Sequence, residues 1–400
     1  MRRVNIYPVK GIRLASAPAG IKYADRDDVV LMALPEGATS AAVFTQNAFC
    51  AAPVTIAKKH LSEASPRYLL INSGNANAGT GEPGYRDAME TCKTVGAAVA
   101  CPINQILPFS TGVIGQRMET SKFAAVMPRL LETLDESGWE KAANAIMTTD
   151  TVEKIVSKQT EIDGKSVTVT GISKGSGMIH PDMATMLGYV ATDAKVEANL
   201  LQKCLNDAVS PSFNSITVDG DTSTNDACVL IASGEGELTL GDVSDTGYEA
   251  FSEAVKAVCM ELARKIVLDG EGATKLIEIK VDQALSAQEA RNVAFTIAHS
   301  PLVKTAMFAS DPNWGRILAA VGRTGITDFD IDQIKIWLGD VCIVEQGGVA
   351  ASYTEEAGQS VMDKAEIIIR IDLARGKAEA RVLTCDLSYD YVKINAEYRT

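Results

Sequence analysis

Strand-like and helix-like segments alternate from one end of this 400-residue chain to the other, and that interleaving constrains the fold more than any single motif. "RYLLIN" is an apolar run that reads as a buried strand, and it opens into a loop carrying Asn72, Gly74, Asn75, Asn77 and Gly79. "YRDAMETCKTVGAAVA" then reads as a helix, and "QILPF" as a strand running into Ser110, Thr111 and Gly112. "SGWEKAANAIM" is helical and stops at Thr148, Thr149 and Asp150, while "SVTVTGI" alternates with the period of two expected of a half-buried strand. "TMLGYVATD" suits a strand, and "KVEANLLQKCLNDAV" has helical spacing at Leu201, Cys204, Leu205 and Val209. The segment "GYEAFSEAVKAVCMELARKIVLDG" sets Phe251, Val255, Val258, Leu262 and Ile266 on one stripe of a long amphipathic helix. Near the end, "AEIIIRIDLARGKAEARVLTCDL" reads as two strands joined by a tight turn at Arg375–Lys377. With no internal repeat and no proline-rich linker, the expected class is α/β (α+β), with layered sheets and helices.

Composition narrows the function classes. Apolar residues make up 46% of the chain, enough for a sizeable core, so the chain is globular. The formal net charge of -13 argues against nucleic acid or an anionic membrane as partner, since both call for a basic footprint. Nothing approaches the roughly 18 continuous apolar residues of a membrane span. The opening "VNIYPVKGIR" is broken by proline and lysine and is no signal-peptide core. Eight cysteines (Cys50, Cys92, Cys101, Cys204, Cys228, Cys259, Cys342 and Cys385) are scattered without a C-x-x-C pair, which fits thiols in a reducing cytosol. Three histidines and no ligand-spaced cluster argue against zinc, so no metal is expected.

One stretch does not read as ordinary scaffold: "KGSGMIHPDMATML", from Lys174 to Leu187. Its glycine-rich turn lacks the spacing of either phosphate-binding glycine motif. A threonine such as Thr185 is usually placed in a strand for β propensity alone. As a nucleophile its hydroxyl needs an adjacent base. His180 and Asp182 are close in sequence, but nothing in the spacing makes them face Thr185, and His60 and His299 stand without an evident acid partner. One device needs no histidine. If the Ala184–Thr185 bond is cut, Thr185 gains a free α-amine, whose ordinary pKa of about 7.7–8.0 suits a general base. That reading predicts a self-cleaving precursor, with the small Ala184 easing attack on its own carbonyl.

The same stretch resembles the signature of the ornithine acetyltransferases, the glutamate N-acetyltransferases of arginine biosynthesis. "AAVFTQN", "AAPV", "INSGNANAGTG", "STGVIG", "MTTDT", "VDGDTSTND", "DGEGATK", "SDPNWGRI" and the final "DLSYDYVKINAEYRT" resemble further family blocks, in order, over nearly the whole chain. His180 and Asp182 depart from the commonest form, which often has alanine and asparagine there. The resemblance implies a fold of the DmpA/ornithine-acetyltransferase type, cut into an α chain of residues 1–184 and a β chain of residues 185–400 that are interwoven in one catalytic body. It implies Thr185 as nucleophile, Thr111 and Gly112 as oxyanion hole, and Thr148, Lys174, Thr185, Glu271, Asn395 and Thr400 as substrate positions. The substrates implied are N-acetylornithine and glutamate, with no resident cofactor and acetyl-CoA as co-substrate in some members. A cytoplasmic heterotetramer of two α and two β chains is the implied assembly.

Two other readings compete. An N-terminal-nucleophile amidase or aminopeptidase would share the self-cleavage and use water as acceptor, and a binding protein would keep the fold without the chemistry. Several residues also have plainer explanations. "DGEGATK" alone reads as a helix-ending glycine turn with Glu271 as a solvated charge, and Asn395 and Thr400 fall in a terminus that composition alone would leave frayed. Trp314 and Arg316 read as a packed loop with a structural arginine. Asp219, Asp221 and Asp226 hint at a cation loop, but their spacing fits no Ca²⁺ loop.

Overall fold

A computed structural model describes residues 5–180 and 186–397. The chain forms two compact units, one from the chain up to Asn214 together with Asp221–Ile266, the other from Ser215–Gly220 and the chain from Val267 onward.

The first unit contains β1 (Arg13–Ala17), β2 (Val29–Ala33), β3 (Thr39–Phe44), α1 (Ala52–Glu63), β4 (Tyr68–Asn72), α2 (Gly81–Val99), β5 (Ile106–Ser110), α3 (Thr120–Glu132) and α4 (Trp139–Ala145). It continues with β6 (Lys154–Ile162), β7 (Lys165–Lys174), β8 (Leu187–Thr192), β9 (Lys195–Val196), α5 (Ala198–Val209), β10 (Ala227–Ala232), β11 (Thr239–Leu240) and most of α6 (Tyr248–Leu268). One sheet runs β1-β2-β4-β5 and a second runs β3-β10-β8-β7-β6, with β9 and β11 forming a small pair. The apolar runs expected as buried strands are strands, because each is covered on both faces. One face of each sheet meets the other in a shared core that includes Met32, Ile71, Phe109, Ile172, Tyr189 and Val229. The outer face of the first sheet is closed by α1, α2 and α3 through Ile56, Val95, Phe123 and Leu130. The stripe Phe251, Val255, Val258, Leu262 and Ile266 of α6 is fully buried. Gly171 lets it approach β7, since a Cβ there would lie 3.0 Å from Leu262 Cδ1. The unit is therefore a mixed α/β body of stacked helix and sheet layers, the class expected from the interleaved pattern.

The second unit contains β12 (Leu276–Ala284), α7 (Ala287–Ala298), α8 (Pro301–Phe308), α9 (Trp314–Gly322), β13 (Lys335–Leu338), β14 (Val341–Glu345), β15 (Gly348–Val349), α10 (Glu355–Met362), β16 (Glu366–Asp372), β17 (Ala378–Cys385) and α11 (Tyr389–Glu397). Its sheet runs β15-β14-β13-β16-β12-β17 and packs Ile279, Ile336, Ile369 and Val382 against Val293, Ile297, Met307 and Ile317 of the helices. The final pair of strands corrects the expectation of a tight turn between neighbours. β16 and β17 both form, but β12 lies between them, parallel to β16 and antiparallel to β17. The connection crosses the end of β12, where the N–H groups of Arg375 and Gly376 both donate to the Gln283 carbonyl at 2.8 Å. A strand from far upstream has taken both hydrogen-bonding edges.

No described helix is long and apolar enough to cross a membrane.

Candidate active site

In the first unit, three of the sequence motifs converge. β5 ends at Ser110, whose Oγ donates to Asn72 Oδ1 at 2.6 Å, and the Thr111 N–H donates to the Asn72 carbonyl at 3.0 Å. Asn225, from the "VDGDTSTND" segment, uses one amide group to donate to the Ser110 carbonyl at 2.9 Å and the Ala76 carbonyl at 2.6 Å. These bonds press the "SGNANAG" loop onto "STG", and the press explains Gly112. Its φ is +131°, and a Cβ would stand 2.3 Å from the Gly74 carbonyl carbon. Only a glycine fits so close an approach of two backbones.

Thr111 faces the end of β7. Lys174 Nζ donates to Thr111 Oγ1 at 3.3 Å, both side chains being buried, with Lys174 9% exposed. The next amide, Gly175 N–H, donates to Asp150 Oδ1 at 2.8 Å, and the Thr148 N–H donates to Asp150 Oδ2 at 3.0 Å. Asp150 also accepts from Lys154 Nζ at 2.6 Å in an ion pair with no exposed surface on either side chain. Burial would raise the proton affinity of Asp150. The positive charges of Lys174 and Lys154 and its hydrogen bonds outweigh that, and its pKa is lowered to about 2. Thr111, Gly112, Thr148 and Lys174 are thus linked through Asp150 and its neighbours in one polar cluster. Asp150, read from the sequence only as a helix stop, and Lys154, which no motif singles out, are structural members of it.

The second unit carries Glu271 and Asn395. Glu271 is 8% exposed and accepts from Asn395 Nδ2 at 2.7 Å, so it is not the solvated charge its turn suggested. The terminus is not frayed up to Glu397 either. Ser388 Oγ donates to the Gly272 carbonyl at 2.6 Å, and Thr274 Oγ1 donates to Asp386 Oδ2 at 2.6 Å. Gly272, at φ +69°, has no room for a Cβ, which would meet the Tyr391 nitrogen at 2.6 Å. Arg316 donates to the Leu302 carbonyl at 2.9 Å and to Thr305 Oγ1, a structural role as expected. Trp314 opens α9, with Asn313 as its cap, rather than sitting in a loop.

Ala184, Thr185, Asp182 and Thr400 lie outside the described residues. The rings of His60 and His299 are engaged elsewhere, and His180 is bonded through its backbone. His60 Nδ1 is 2.7 Å from the Ile106 carbonyl, His299 Nε2 is 3.1 Å from Thr217 Oγ1, and the His180 carbonyl accepts from Thr222 Oγ1 at 3.2 Å.

The fold is thus a mixed α/β body whose strand ends gather a buried hydroxyl, a buried ammonium and a glycine-built backbone turn. A family model described as "ArgJ family" matches residues 13–400, and the chain belongs to that family. It is 59% identical over 397 residues to the arginine biosynthesis bifunctional protein ArgJ of Methylococcus capsulatus, covering 99% of this chain and 97% of that one. Its identity to the protein of the same description from Pseudomonas fluorescens is 54% over 398 residues, covering 99% and 98%. A crystal structure of the arginine biosynthesis bifunctional protein from Bacillus halodurans is 41% identical, with a TM-score of 0.49, covering 52% of this chain and 98% of that one.

Proposed function

We propose that this chain transfers acetyl from N2-acetyl-L-ornithine to L-glutamate, giving ornithine and N-acetylglutamate. The observation that carries this reading is the Lys174–Thr111 contact at 3.3 Å, which sets an ammonium and a hydroxyl side by side beside the Gly112 turn, in a chain of the ArgJ family. Thr185 is the nucleophile in this scheme. Its hydroxyl attacks the Ala184 carbonyl carbon, the shift from amide to ester breaks the C–N bond and frees the α-amine of Thr185, and water then cleaves the ester to the Ala184 carboxylate and the restored Thr185 hydroxyl. That amine takes the hydroxyl proton as Thr185 adds to the acetyl carbonyl of N-acetylornithine. Collapse of the tetrahedral intermediate returns the proton to the leaving ornithine amine and leaves an acetyl ester on Thr185. The glutamate amine attacks that ester and restores the hydroxyl. One amide replaces another, so little free energy is lost overall.

Thr111 Oγ1 and the Gly112 N–H serve the oxyanion, where one donor is worth about 2.7–4 kcal/mol of barrier. Thr148, Lys174, Glu271, Asn395 and Thr400 bind substrate, Lys174 suiting a carboxylate and Glu271 an ammonium. No resident cofactor is needed. Acetyl-CoA is a second donor in this proposal, consistent with the word bifunctional in the names of the relatives.

The sheet topology supports fragments that stay together. β3, β6 and β7 precede position 184, β8 and β10 follow it, and in space they run β3-β10-β8-β7-β6. We propose that the two chains so joined pair into a cytoplasmic heterotetramer.

Intact mass and N-terminal sequencing of the wild type and Thr185→Ala test the scheme, with acetyl exchange measured alongside. Two fragments, the second beginning Thr-Met-Leu-Gly, are expected from the wild type and one intact chain from the variant. Acetylornithine consumed at full rate without glutamate would convert the reading to a hydrolase. Wild-type protein that transfers acetyl while uncut would remove the α-amine from the mechanism.

A further inference from the structure

Asp226 stands immediately before β10 and is 4% exposed. Its carbonyl accepts from the Thr45 N–H at 2.9 Å, and the next residue, Ala227, donates its N–H to the Met186 carbonyl at 2.9 Å. Ala227 pairs with Leu187 in parallel register, and on the other flank of β8 Leu187 pairs with Lys174. The start of β8 is therefore bracketed by Lys174 on one side and by Asp226 and Ala227 on the other. Ser223 hydrogen-bonds to the Asp226 carboxyl, but Oδ2 has no hydrogen-bond partner among the described residues, the one carboxyl oxygen so placed there. Burial pushes its proton affinity well above that of an ordinary aspartate, against the pull of Ser223 and Lys174.

The charges of this cluster decide what it can hold. Lys154 is matched by Asp150, which keeps its negative charge through the whole neutral range. Lys174 acts electrostatically on both Asp150 and Asp226. Among these four described groups, an ionised Asp226 would set two anions against two cations while leaving Oδ2 charged with no hydrogen-bond donor. With Asp226 neutral, the four carry one net positive charge. A buried carboxylate with one oxygen unpartnered is the costlier state, so the group takes up a proton instead.

We propose that Asp226 is a positioning residue that stands as a neutral carboxyl, leaving the charge of Lys174 available to the carboxylate of an amino-acid substrate. The substrate class rests on the acetyl-transfer reading; the neutral carboxyl does not. An ionised aspartate here would compete with that carboxylate for Lys174, so its neutrality sets the preference of the site for anions.

The test uses the full chain as wild type, Asp226→Asn and Lys174→Met, with Asp226→Thr in reserve should the amide variant fail to fold. The first readout is the infrared difference spectrum between wild type and the Asp226 variant at neutral pH, which should show the C=O stretch of a protonated carboxyl. A carboxylate band in its place overturns the proposal. The second is L-glutamate binding by titration calorimetry. Asp226→Asn should bind within about threefold of wild type, whereas Lys174→Met should lose about tenfold or more, the size of one charge-assisted contact. An Asp226→Asn protein as weak as Lys174→Met overturns the proposal, because the amide keeps the neutral state. Wild type that binds glutamate but exchanges no acetyl would sink the transfer reading alone, and wild type that binds no glutamate would overturn the substrate class assigned to Lys174.

Discussion

Asn395 Nδ2 donates to Glu271 Oε2 across 2.7 Å, tying the last helix of the chain to a glycine turn more than a hundred residues earlier. α11 buries none of its residues; it is held by this bond, by the edge-on contact of Tyr389 with Phe308, and through the preceding residues by the Ser388–Gly272 bond and the Asp386 clasp on Thr274 and Lys275. Asn395→Ala would leave a buried carboxylate oxygen without its donor, at a cost of about 1–3 kcal/mol. The expected outcome is a lower Tm and a higher KM for the amino-acid substrates, read by calorimetry and steady-state kinetics. Removing the last few residues should raise KM in the same direction, and an unchanged KM in both variants would dismiss Asn395 and Thr400 as substrate positions.

Thr111→Val keeps the shape of the side chain and removes the hydroxyl that meets Lys174. If Thr111 serves the oxyanion, kcat should fall about 10²–10³-fold with KM little changed. A fall in KM affinity with kcat intact would instead make the residue a binding group.

Gly112→Ala and Gly115→Ala form a contrasting pair, since both glycines have positive φ. At Gly112 the new Cβ would strike the Gly74 and Asn75 backbone, while at Gly115 nothing lies within 4 Å. Gly112→Ala is expected to lose solubility or nearly all activity. Gly115→Ala should cost about 1 kcal/mol, the strain of an alanine at positive φ, and keep its activity. Chemical denaturation and the exchange assay read both.

Asp150→Asn removes the carboxylate from a fully buried ion pair with Lys154 and should destabilise the protein by about 3–5 kcal/mol. The wild type has a matching pH dependence. The Asp150 pKa lies near 2 in the folded chain, below the ordinary 3.8, so its contribution to stability is present above pH 3.8 and is lost as pH falls from there toward 2. Denaturant midpoints measured down that range should drop in the wild type. Asp150→Asn should lack this component, and parallel curves for the two proteins would contradict the assignment.

Much of the fold was legible because it is written in local periodicity. The stripe on α6 and the strand at "SVTVTGI" need no knowledge of what lies opposite, and both elements form, but the strand is not half-buried as its alternation suggested, because its polar positions Thr168 and Thr170 are buried as well. Long-range pairing is not local, and there the reading failed: the strands at 366–372 and 378–385 looked like a hairpin until β12 was found between them. The site divides in the same way. Lys174 and Thr111 stood out through the family blocks. Lys154 did not, and Asp226 stood out only as part of a possible cation loop, because a lysine in a strand and an aspartate in a polar loop have common surface roles, and burial alone makes them different. The plainer explanation of Glu271 as a solvated charge fails for that reason as well.

The order of strands in the second sheet also sets a timetable. β3 is complete once Phe44 has been synthesised, yet its hydrogen-bonding partner β10 begins only at Ala227. A nascent chain holding everything through β7 still has an open gap in the middle of that sheet, because β8 and β10 must enter between strands already made. Contacts so distant in sequence form slowly. If the Ala184–Thr185 bond is cut as proposed, the uncut precursor is the form in which this sheet first assembles, since β8 and β10 lie beyond the cut and fill the middle of the sheet.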